Sequence, residues 1–125
     1  MNGPPASTPA DDGFATVWAA SAVAALLVLT VFAVQLGAAV VRRHQAEAAA
    51  DLAALAAAVH AADGEPVACA HALRVTEPMS ARMTACRVTG WEVTIAVEVL
   101  PGVDLPWSGA ARGRARAGPA TGTEY

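Results

Sequence analysis

Of the 125 residues, 55% are hydrophobic and only 15% charged, with a formal net charge of -3. That mild negative balance lacks the basic footprint of a nucleic-acid partner. A chain this short holds one modest domain at most, and a small core of that kind often needs a staple.

The chain opens with MNGPPASTPADDG, a leader over residues 1–13 whose Pro, Gly, Ser and Thr content reads as disordered. Phe14 to Val41 follow as one apolar run without a charged side chain; its polar members are Thr16, Ser21, Thr30 and Gln35. The run has 28 residues, more than the roughly 20 that a bilayer core requires as helix. A secretory signal pairs a basic n-region with a much shorter apolar stretch. The leader has neither Arg nor Lys, so residues 14–41 read as a transmembrane helix that stays in the protein.

Residues 42–64, RRHQAEAAADLAALAAAVHAADG, are almost all helix formers and extend that helix beyond the membrane. Leu52, Leu55 and Val59 recur at helical spacing as a narrow apolar stripe. Arg43 and Glu47 sit one turn apart and can pair. Nothing breaks the pattern between Phe14 and Ala62 except Gly37, which predicts one continuous helix ending near Asp63-Gly64. Glu65-Pro66 begins a short second helix that stops before Glu77-Pro78. The period then changes. Met83 to Val88, Thr89-Gly90 and Trp91 to Val99 predict a hairpin in which Trp91, Val93, Ile95, Val97 and Val99 form one buried face. Leu100 to Trp107 is a loop, and Gly109 to Ala117 is a third strand. There Arg112, Arg114 and Arg116 would guard an exposed edge. The same arginine row could instead bind acidic polysaccharide or lipid headgroups. Residues 118–125 are a disordered tail. The fold class is α+β: a long transmembrane helix, a short second helix and a small antiparallel sheet, with residues 65–117 as a small α+β domain.

Cys69 and Cys86 lie beyond the apolar run. In an exported domain they would form a disulfide; in a cytosolic one they would stay two buried thiols. Ser21/Ala25 and Ala33/Gly37 have the small-xxx-small spacing that lets helices approach closely in lipid. His44, His60 and His71 fall on or near helices, and no Ser or Cys is placed with a His and a carboxylate in a recognisable catalytic motif. A zinc site from His60, Cys69, His71 and Cys86 matches no common spacing and would compete with the disulfide for both thiols. The reading is a protein that is not an enzyme and has no metal or cofactor.

Three stretches together carry a family resemblance. Gly13-Phe14-Ala15-Thr16-Val17-Trp18 opens the anchor. Arg42-Arg43-His44-Gln45-Ala46-Glu47-Ala48-Ala49-Ala50-Asp51-Leu52-Ala53-Ala54-Leu55-Ala56 follows it. Cys69, Cys86 and Gly90-Trp91-Glu92-Val93 come later. The chain resembles the TadE-like family, the short actinobacterial pilin-like and pseudopilin-like proteins of tight-adherence secretion systems. The resemblance implies a pilin-like helix and an exported C-terminal domain at the cell membrane, in a pilus or on the cell surface. It also implies cleavage by a prepilin peptidase between Gly13 and Phe14. Type IV pilins carry Glu at the fifth mature position, whereas this chain has Trp18. The implied function is a minor pilin or pseudopilin, its partners being the membrane, other pilin-like subunits and the secretion or pilus assembly machinery. Two alternatives stay open: an uncleaved single-pass accessory protein whose small domain binds a partner, and a membrane regulator facing the cytoplasm. The last follows from Arg42 and Arg43, because positive charge behind a span tends to remain cytoplasmic.

Overall fold

The structure, a computed structural model, describes residues 2–5 and 9–120. The chain divides into two compact units, Met1–Gly37 and Ala38–Tyr125. Helix α1 runs over Pro9–Ala58. It is long and apolar enough to cross a membrane, and none of its apolar window is buried among the described residues. Large side chains from Phe14 to Val41 are exposed all round, as expected of a helix whose solvent is lipid. The hydroxyls of Ser21 and Thr30 are satisfied inside the helix, donating to the carbonyl oxygens of Val17 and Leu26 at 2.8 Å each.

Both ends of α1 differ from the sequence-based expectation. Pro9 is its first residue, so the end of the leader is helical; proline is favoured there because its missing N–H would lack a helical acceptor anyway. At the other end the helix stops at Ala58 rather than Ala62. His60 N–H donates to Ala57 O at 2.9 Å, tightening the last turn, and a short 3₁₀ helix, Ala61–Asp63, follows. Gly64 then adopts φ 97°, turning the chain into α2, Glu65–Thr76. Residues 118–120 carry no regular structure, and residues 121–125 of the expected tail lie outside the described residues.

Three strands complete the second unit: β1 Arg82–Thr89, β2 Glu92–Val99 and β3 Ala111–Ala117. They form an antiparallel sheet in the order β1-β2-β3, with a register shift between Met83 and Ala85. Val93, Ile95, Val97 and Val99 on the central strand are at most 4% exposed, the buried face that the alternation predicts. Trp91 does not join them. Thr89 pairs with Glu92, so the two-residue turn is Gly90-Trp91, and Trp91 is 65% exposed. Gly90 has φ 62° and Trp91 a negative φ, the signs of a type II′ hairpin turn.

The face of α1 turned to the sheet is made of alanine: Ala46, Ala49, Ala50, Ala53, Ala54 and Ala57 are buried. The expected stripe of Leu52, Leu55 and Val59 points away, and Val59 is 80% exposed. The reason is the closeness of the sheet. A Cβ on Gly113 of β3 would stand 2.3 Å from the Ala46 carbonyl oxygen, so strand and helix meet backbone to backbone. Only small side chains fit between them. Gln45 Nε2 donates to Met79 O at 2.6 Å, tying α1 to the turn before β1.

Candidate functional site

At the start of the anchor, Gly13 is exposed and lies inside α1, four residues after Pro9. Phe14 and Trp18 stand one helical turn apart with ring centroids 6.4 Å apart in an edge arrangement. The fifth residue after the candidate junction thus contributes an aromatic ring, suited to a membrane interface, and no negative charge. Ser21, Ala25, Ala33 and Gly37 are all exposed, and a Cβ on Gly37 would meet nothing within 4 Å. At roughly 100° per residue the two small pairs lie about 120° apart around the helix. They are therefore two openings on different sides and do not make a single seam.

In the second unit, α2 is held to the edge strand β1 at two points. Cys69 and Cys86 come within disulfide distance, with Cα atoms 6.0 Å apart. One end further along, the Glu65 carboxylate accepts the Val88 N–H at 2.9 Å. That bond occupies a donor which an edge strand would otherwise leave open.

The outer face of the sheet carries Arg82 and Arg87 on β1, Glu92, Thr94, Ala96 and Glu98 on β2, and Arg112, Arg114 and Arg116 on β3. Arg82 pairs with Glu98, and Arg116 pairs with Glu92 at 3.4 Å. The row of three arginines is exposed along the edge, as the spacing predicts. The expected Arg43–Glu47 pair is formed, Nε to Oε1 3.0 Å.

His60 and His71 stack with ring centroids 3.7 Å apart and planes 10° from parallel, while His60 Nδ1 meets Asp63 Oδ2 at 3.1 Å. Partial burial lowers the His71 pKa from its ordinary value, and His60 and Arg74 push the same way; Asp63 opposes them. Among the described residues no three His, Cys, Asp or Glu side chains converge as a metal-ligand set. Neither the histidine stack nor the contact of Gly113 with Ala46 has a local sequence signal, since each joins residues that only the tertiary fold brings together.

Residues 13–62 match the family model described as putative Flp pilus-assembly TadE/G-like. Over that segment the chain is TadE/G-like. The match begins at Gly13, takes in the whole apolar run and ends in the 3₁₀ turn, so the TadE/G-like part is the anchor and its helical extension. A relative from Mycobacterium tuberculosis (strain ATCC 25618 / H37Rv), apoptosis inhibitor Rv3654c, is 47% identical over 53 residues. Those residues are 42% of this chain and 63% of that protein, less than two thirds of its length. No solved structure matches the chain.

Proposed function

We propose that the protein is a membrane-anchored, pilin-like structural subunit, a minor pilin or pseudopilin of a tight-adherence or related secretion assembly. The observation that carries this reading is the coincidence at Gly13. The TadE/G-like match begins there, one residue before a charge-free run long enough to span a bilayer. In the proposal a prepilin peptidase cuts between Gly13 and Phe14, the C-terminal unit faces outward, and the Cys69–Cys86 disulfide braces it. Exposed small residues at Ser21/Ala25 and Ala33/Gly37 then give neighbouring subunits two faces for close helix packing.

Two features favour a second reading, an uncleaved accessory protein. The helix runs through the Gly13–Phe14 bond from Pro9, so a peptidase would have to unwind its first turns. Trp18 also replaces the glutamate whose charge would meet a neighbour's new amine. The mycobacterial relative is named for inhibition of apoptosis; the likeness spans 53 residues, less than two thirds of that protein, and does not carry that activity to this chain.

Mass spectrometry of the N-terminus separates the two. In protein extracted from membranes, the subunit reading expects a chain starting at Phe14 in cells with the prepilin peptidase and an intact leader in cells without it. An intact leader in both would sink the subunit reading and leave the accessory protein.

A further inference from the structure

Where the apolar run ends, the second unit has a cavity of about 360 Å³ lined by Ala39, Arg42 and Arg43 of α1 and by Gly109, Ala110, Ala111 and Arg112 at the start of β3. Its lining residues include three arginines and no acidic residue. Arg43 is already engaged by Glu47, which His44 Nδ1 also approaches at 3.7 Å. Glu98 lies opposite Arg112 in the ladder, but its carboxylate is paired with Arg82. Arg42, half-buried, and Arg112 therefore have no ion-pair partner among the described residues. The close packing of Gly113 on Ala46 brings the start of β3 against the helix, and Arg112 leaves this edge strand from its outer face to line the cavity from the rim.

We propose that Arg42 and Arg112 form a binding site for the phosphate of an anionic phospholipid headgroup. Position selects this ligand. Val41 is the last residue of the apolar run, so Arg42 stands where hydrocarbon gives way to headgroups. An arginine there lays its stem along the apolar surface and holds its charge in the interface. The guanidinium fork donates two parallel hydrogen bonds to phosphate oxygens. Alanine and glycine on the other walls leave the volume for the headgroup to enter. A free inorganic phosphate shares the charge but would gain nothing from the adjoining apolar helix. The inference rests on the membrane-spanning reading of residues 14–41 and is independent of cleavage at Gly13.

Native mass spectrometry of the full chain in neutral detergent, with phosphatidylglycerol or phosphatidylcholine added, tests the site. The wild type should retain phosphatidylglycerol about thirtyfold better than phosphatidylcholine, since each of the two arginines contributes about fivefold toward an anionic lipid. R42Q/R112Q should erase the preference. R74Q/R87Q, which removes equal charge from exposed positions on α2 and β1, should keep it. Equal retention of the two lipids by the wild type would overturn the site. So would an equal loss in both double variants, because the effect would then be diffuse charge. Complete displacement of phosphatidylglycerol by millimolar inorganic phosphate would replace the lipid with a free anion. If R42Q/R112Q lost its fold, R42Q alone should still reduce the preference. Membrane fractionation of each variant reports anchoring separately, and the N-terminal mass reports processing.

Discussion

Gly113 is the residue on which the second unit depends most directly. Its missing side chain is what lets β3 reach the backbone of α1, with Ala46 O where a Cβ would go. Backbone cannot swing aside as a side chain can, so Gly113→Ala must push the strand off the helix or distort both. Overpacking of that kind costs about 1–3 kcal/mol, and a rigid neighbour puts this site at the upper end. The same change at Gly109, where a Cβ meets nothing within 4 Å, should alter the midpoint of unfolding little. Denaturant unfolding of the full chain in detergent, followed by tryptophan fluorescence, compares the two; equal effects would refute the close-packing argument. His71 makes a second prediction at this scale. Its folded pKa is lowered below the ordinary 6.5, so the folded state resists taking up a proton. The stability this represents is complete above pH 6.5 and is lost as pH falls through that value toward the folded pKa. The wild type should therefore lose more stability between pH 7.5 and 5 than His71→Gln does. Parallel pH profiles for the two proteins would rule out the stacked pair as the source.

Among the elements, α2 and β1 depend on each other. Helix α2 has 12 residues, too few to persist alone in water, and its buried face is mainly Ala68 and Ala72. Alanine buries little apolar area, so covalent and polar links to β1 must do what packing does in a larger domain. Closing the 17-residue separation between Cys69 and Cys86 contributes about 3 kcal/mol by the loop-entropy estimate. Replacing both cysteines with alanine should lower the unfolding free energy by about that amount, and reductant should affect the wild type but not the variant. A wild type indifferent to reductant would mean free thiols. These links also mark how far the sequence could be read. The alternation from Val93 to Val99 was legible because a one-sided strand needs only its own period to reveal its buried face. Trp91 extends the same alternation but belongs to the turn, where Gly90 supplies the positive φ and no partner strand covers the ring. On α1 the larger residues were no guide to the core: Leu52, Leu55 and Val59 make the apolar stripe, yet they are exposed, and the side that Gly113 approaches is alanine. The meeting of Arg42 with Arg112 joins residues 70 positions apart, and no local pattern announces it.

At the scale of the whole molecule, the decisive question is which side of the membrane holds the sheet. Arg42 and Arg43 follow the span, while only Asp11 and Asp12 precede it, and the positive-inside tendency would place the second unit in the cytoplasm. That tendency is strongest where the arginines flank a short loop, whereas a whole folded unit translocates largely regardless of its charge. Behind this span stands such a unit, with a second helix and a three-stranded sheet. The bias from two arginines is therefore weak here. The cysteine pair argues the other way, since a disulfide persists outside the cytoplasm and is kept reduced within it. We expect an outward second unit. Alkaline phosphatase fused after Ala120 should be active, because that enzyme matures only when exported. Trapping thiols with an alkylating agent before lysis should leave Cys69 and Cys86 unmodified. If the fusion were inactive and both cysteines alkylated, the sheet would lie inside the cell. The pilin-like reading would then fail together with the disulfide, while the anchor, the alanine-lined packing and the arginine cavity would stand, now facing the inner leaflet.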